Sequence, residues 1–214
     1  MDDLNFTPIN HEIMLDPDKV MVCKFTDQGI IDYVNDYFTE ITGYEVHEVV
    51  GENYRNFVHE EVPQAILNRV LEKMNKMENV HFIIKDKAKD GRYYWFITDF
   101  EFSTDKKGNL LFIKSHRKPA PRVAIPEIDI LYKKMLKIEK HAGLAIAQTF
   151  FEGFLEDKGM SLDQYTQSLI EQYKMQQTTP LSQQMARAIP PTQQTITKRK
   201  PKKKKSLIDI LFKK

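Results

Sequence analysis

Residues 80–116 constrain the fold most. Val80–Lys85 is followed by "AKDG", Arg92–Phe102 by "DKKGN", and Leu110–His116 closes the run. Each break carries an Asp/Lys-Gly pair, the residue type that supplies the positive φ of a tight hairpin turn. Three antiparallel strands are therefore expected. In the middle one, Tyr94, Phe96, Thr98, Phe100 and Phe102 fall on one face, and Tyr93, Trp95, Ile97, Asp99 and Glu101 on the other. An open antiparallel sheet shows one polar row. Here both rows begin apolar, so the second face needs a cover there. The N-terminal segment, the C-terminal helices or another subunit would serve.

Upstream, Val20–Thr26 and Gly29–Val34 read as a hairpin turning at "DQG". Asn35–Thr42 is a short helix ended by Gly43, and Glu45–Val50 another closed by Gly51. Glu60–Met77 places Val62, Ile66, Val70, Leu71 and Met74 at a 3.6 period and is the long helix of this half. Downstream, the three prolines of residues 117–126 end the sheet. Glu127–Asp157 reads as helix, with Gly143 as a break or kink. Ser161 and Gln164 form a capping-box pattern that starts a further helix to about Met175. The apolar spacing over 127–175 is not a sustained heptad, which favours a helical hairpin on the sheet over a coiled-coil arm.

The organisation expected is an N-terminal segment 1–12, an α+β domain 13–120, a Pro-rich linker 121–126, a helical hairpin 127–175, a disordered linker 176–197 and a basic tail 198–214. From Ile196 to the end, nine Lys/Arg face one Asp, which leaves the rest of this +2 chain at −6. The tail "KRKPKKKKSLIDILFKK" joins this charge to Leu207, Ile208, Ile210, Leu211 and Phe212. That combination suits an anionic membrane surface or an apolar groove on a partner. Nucleic acid is disfavoured, because no aromatic interleaves the Lys run.

Several classes are disfavoured. Cys23 is the single cysteine, so disulfide frameworks and Cys-based metal sites are excluded. The N-terminus lacks the basic and apolar regions of a secretory signal, and no apolar run reaches membrane-spanning length. A cytoplasmic protein, soluble or peripheral at the inner membrane surface, is expected. The six histidines form no metal spacing, and no P-loop or dinucleotide fingerprint occurs. No catalytic set stands out, so the expectation is a protein that is not an enzyme.

The element order and "TDQGIIDYVNDYFTEITGYEVHEVVGENYRNFVHEEVP" resemble the PAS fold, a five-stranded antiparallel sheet with short helices on one face. Asn35, Phe38, Gly43, Tyr44, Glu48 and Gly51 fill the family's positions. "KDGRYYWFITDFEFSTDKKGNLLFIKSHRKP" resembles its last hairpin. "HEEVP" is similar to the corresponding motif of aerotaxis and energy-taxis sensors, whose PAS pocket holds FAD. That resemblance implies Asn35, Tyr54, His59, Glu61, Asp86 and Trp95 as pocket candidates. Three positions depart from it: the family's Arg is Val58 here, and two Trp positions are Leu71 and Val80. The resemblance also implies redox or small-ligand sensing with output through contact, for instance with a chemoreceptor, and a possible homodimer. Haem held by His59 or His81 is a less favoured cofactor. A cofactor-free scaffold localised by its tail is the alternative. Read from residue chemistry alone, Asn35 is equally a helix cap, and the acids after His59 equally a solvated helix start.

Overall fold

A computed structural model describes residues 10–178. The expected linker and tail, 179–214, lie outside them. Residues up to Tyr173 belong to one compact unit, and a second unit begins at Lys174.

Five antiparallel strands form one sheet: β1 (Met21–Phe25), β2 (Ile31–Val34), β3 (Phe82–Lys87), β4 (Tyr93–Thr104) and β5 (Leu110–Pro119), in the order β2-β1-β5-β4-β3. The meander is present as expected, with Gly91 and Gly108 at φ +87° and +83° in its turns. Between β2 and β3 lie α1 (Asp36–Thr42), α2 (Val46–Val49), a 3-10 turn at Tyr54–Phe57, and α3 (Gln64–Asn75). The 3-10 turn has no periodic signal in the sequence. α3 starts four residues later than expected, because Pro63 fits before a helix but not inside one.

Asn35 shows why β1 and α1 are locked together. Its side-chain oxygen accepts from Phe38 N at 3.3 Å and from Val22 N at 3.0 Å, and its amide donates to Val20 O at 2.9 Å. The amide side chain is thus a helix cap and a strand tie at once. Gly43, at φ +71°, closes the same helix in the left-handed conformation.

The helical hairpin expected downstream is instead three helices: α4 (Ile125–Ala142), α5 (Leu144–Lys158) and α6 (Leu162–Thr178). Gly143, at φ +89°, breaks the first run completely. Pro126 sits in the first turn of α4, where a missing N–H costs nothing, so the Pro-rich stretch is partly helical. Ser161 and Gln164 do form the reciprocal capping box of α6: Ser161 N donates to Gln164 Oε1 at 2.8 Å, and Gln164 N to Ser161 Oγ at 3.2 Å.

The cover for the second sheet face has two parts. Residues 11–13 pair with Tyr93, extending the sheet past the end of β5: Ile13 N donates to Tyr93 O at 2.7 Å, and Tyr93 N to His11 O at 3.1 Å. α4 supplies the rest. The Tyr132 ring lies 6.1 Å from that of Trp95, and its hydroxyl donates to Ile83 O at 2.6 Å. That last bond also occupies a carbonyl of β3, an edge strand.

α4 is tied to the other layer as well. The N-terminus of α3 has no side-chain cap of its own from Pro63. Glu139 of α4 provides one, accepting from Gln64 N at 3.2 Å and Ala65 N at 2.8 Å. A carboxylate at a helix N-terminus meets both open donors and the positive end of the dipole. Glu139→Ala is expected to destabilise the protein by about 1 kcal/mol, read by urea denaturation. Hydrogen exchange should accelerate at the first turn of α3.

Candidate functional site

The inner face of the sheet and α3 enclose a cavity of about 270 Å³. Its walls are Phe25 of β1, Leu67, Val70, Leu71 and Met74 of α3, and Phe82, Ile84, Phe96 and Phe100 of the sheet. These follow from period two on the strands and 3.6 on the helix, the pattern read from the sequence. The mouth is polar, with Asp27, Gln28, Asn53, Arg55 and Asn75.

One charged side chain reaches the apolar interior. Arg117 of β5 is 2% exposed and lines the cavity. Its Nε donates to Ser115 Oγ at 3.1 Å, and its Nη1 to Asp86 Oδ2 at 3.3 Å. The guanidinium carbon lies 4.6 Å from the Tyr54 ring centre and 4.8 Å from that of Phe96. Asp86 of β3 is fully buried behind it and also accepts from the Tyr54 hydroxyl at 2.7 Å and the Tyr94 hydroxyl at 3.5 Å.

The electrostatics of this network follow from its burial. Burial pushes the Asp86 carboxyl up to about 6, against the pull of Arg117 and the two phenols. Burial also opposes the charge on Arg117, but Cys23, Tyr54, Asp86 and Tyr94 outweigh it and hold the guanidinium above its ordinary value. Burial raises the Tyr54 and Tyr94 phenols well above theirs, and takes the Cys23 thiol up to about 11. Cys23 is accordingly an inert core residue.

The six sequence candidates are not brought together. Tyr54 lines the cavity, and Asp86 sits behind its polar corner. Asn35 is spent on capping α1. Trp95 points to the opposite face from Tyr94 and Phe96, as alternation requires, and meets α4. His59, Glu61 and Trp95 border a separate cleft with Lys85, Tyr93, Asp129 and Lys133, under α4 and the N-terminal segment. There Lys85 donates to Glu61 at 2.5 Å and lies 3.8 Å from the Tyr93 ring centre. The bond from Lys85 holds the Glu61 carboxyl below its usual range. His59 is buried, accepts from Glu61 N at Nδ1, and is kept neutral chiefly by burial and then by Lys85. His81 stands outside both spaces, between Asp99 and Asp163.

Arg117 escaped the sequence reading, although a signal existed. On β5, Ile113, Ser115 and Arg117 alternate inward, in register with Phe102, Phe100 and Thr98. Read as part of "KSHRKP", the arginine looks like one more solvated charge.

Among the described residues no helix is long and apolar enough to cross a membrane, and no group of three or more His, Cys, Asp or Glu could hold a metal ion. Residues 17–115 match the PAS domain family. The aerotaxis receptor of Escherichia coli strain K12 is 26% identical over 119 residues, a match that covers 55% of this chain and 23% of that receptor. Sheet order, cavity and family match agree on the part of the chain they cover: residues 17–115 match the PAS domain family, and the chain is similar over 119 residues to part of an aerotaxis receptor.

Proposed function

We propose that this protein is a non-enzymatic sensor that reads a compact ligand or the ring end of a cofactor in its central cavity and signals by contact through α4–α6. The observation that carries the reading is the enclosed apolar cavity with a single buried cation in it. Binding sites of this kind have apolar walls and a few fixed polar groups.

Size narrows the occupant. An apolar cavity of about 150 Å³ takes one benzene ring, so about 270 Å³ suits a flat system of two or three rings. A whole dinucleotide does not fit inside. FAD, which the resemblance to aerotaxis-type sensors suggests, fits by its ring system alone. Phe25, Phe82, Phe96 and Phe100 would flank the rings, and Arg117 would face their acceptor edge. The remainder would leave by the mouth at Asn53 and Arg55. When bound, FAD would supply a redox state for the protein to read. Haem is less well served, because no histidine lines the cavity.

The route to the surface uses contacts already described. α3 forms one wall, and Glu139 fastens its N-terminus to α4. The sheet forms the other wall, and Tyr132 fastens it to the same helix. A displaced wall thus changes the fit of α4, which a chemoreceptor-like partner or a second copy would read. An absorption spectrum of the purified full chain tests the cofactor version. Flavin bands are the expected result. Protein that stays colourless after incubation with FAD would end that version and leave sensing of a free small ligand.

A further inference from the structure

We propose that Arg117 sets the specificity of the cavity: it selects a flat, largely apolar occupant that presents an anionic or carbonyl-rich edge, and Asp86 takes up a proton when that edge is anionic. This rests on the sensor reading above and names the ligand chemistry of the same cavity.

The geometry makes Arg117 both fixed and incompletely used. Nε and Nη1 are occupied by Ser115 and Asp86. Nη2 has no acceptor among the described residues. It is not sealed in protein either, since the fully buried side-chain polar atom without a partner among those residues is Thr166 Oγ1, on α6. The open N–H groups therefore face the space that Arg117 lines. The Tyr54 and Phe96 rings, at 4.6 and 4.8 Å, hold the guanidinium plane. A pre-oriented donor in a dry site discriminates strongly, because an occupant lacking an acceptor leaves it unpaired. Carboxylates suit it best, since guanidinium N–H groups form charge-assisted bonds to them. The carbonyl-bearing end of a flavin ring system belongs to the same chemical class.

Proton uptake follows from the surroundings of Asp86. It faces Arg117 of β5, Tyr54 of the 3-10 turn, Tyr94 of β4 and Cys23 of β1, with Lys87 on its own strand. The α3 residues on the cavity carry no charge. Arg117 is the main group holding the carboxyl down from a value already near 6. A second anion at Arg117 weakens that hold and raises the carboxyl further. Binding then consumes a proton, so affinity is full below about 6 and is lost as pH rises through the value in the complex.

Phenylacetate and its neutral analogue phenylacetamide test this by thermal shift and calorimetry on the full chain. Where the chain purifies with a flavin, the same pair is read as flavin displacement. The acid is expected to bind at least about tenfold tighter than the amide, the worth of one charge-assisted bond. From pH 6 to pH 8 the acid's affinity should fall by up to about tenfold per unit, and the amide's should not. The uncharged double variant Arg117→Met/Asp86→Asn replaces the pair at similar volume, and should fold yet bind acid and amide within about twofold of each other. Equal binding of the two probes by the native chain, a preference surviving in the folded double variant, or parallel pH profiles would each overturn the inference. A flavin spectrum with no acid preference sinks this inference alone. An acid preference without flavin sinks the FAD version alone.

Discussion

Arg117→Met in the otherwise native chain is expected to cost about 3–5 kcal/mol, because it leaves Asp86 as a buried carboxylate without its counter-charge. The pair is 2% and 0% exposed, so the carboxylate left behind is poorly solvated. Losing Arg117 raises the Asp86 carboxyl above its present value near 6, so the folded variant holds its proton to higher pH than the unfolded chain does. That contribution is present at low pH and disappears as pH rises through the raised value. The penalty should therefore be small near pH 5 and grow as pH rises from 6 to 8, by at most about 1.4 kcal/mol per unit. Urea denaturation at pH 5 and pH 8 measures it. A penalty of equal size at both would show that packing, not charge, is what Arg117 contributes. Adding Asp86→Asn should recover much of the loss, and the double-mutant cycle gives the coupling directly.

Trp95→Ala should cost a similar amount, about 3–5 kcal/mol, by leaving a cavity under α4 that the neighbours cannot fill. Trp95 is 6% exposed and faces Tyr132, which is 3% exposed and bonded to β3. The effect should be local in kind. Hydrogen-exchange protection should fall over α4 and β3, while protection of β1 and α1, joined by Asn35, should be retained. Tyr132→Phe, which removes only the bond to Ile83 O, should cost about 1 kcal/mol. If Trp95→Ala and Tyr132→Phe add without coupling, the seam between sheet and α4 does not act as a unit.

The sheet was legible because its signals are local. Alternation and Gly turns act over two to ten residues, and the Asn35 and Gly43 caps over fewer. The apolar walls of the cavity were legible for the same reason. Its polar corner was not. Asp86 and Arg117 lie 31 residues apart, on strands separated by β4, and nothing in either neighbourhood announces the other. His59, Glu61 and Trp95 entered the site by resemblance, which aligns positions along the chain and is blind to the face on which each falls. The alternation around Trp95 already placed it opposite Phe96. The three helices at the end were harder to parse, because Gly143 inside an apolar run fits a kink as well as a stop.

The borrowed cap on α3 bears on how this protein can be divided. The segment that matches the PAS family ends at residue 115, and the carboxylate that closes α3 is at residue 139. The family match and structural self-sufficiency therefore end at different places. A chimera that grafts residues 17–115 onto another protein would carry a bare first turn on α3 and an uncovered Trp95. One cut after α4 would carry both repairs with it. The exchangeable unit, in this chain, includes α4 as well as the sheet domain.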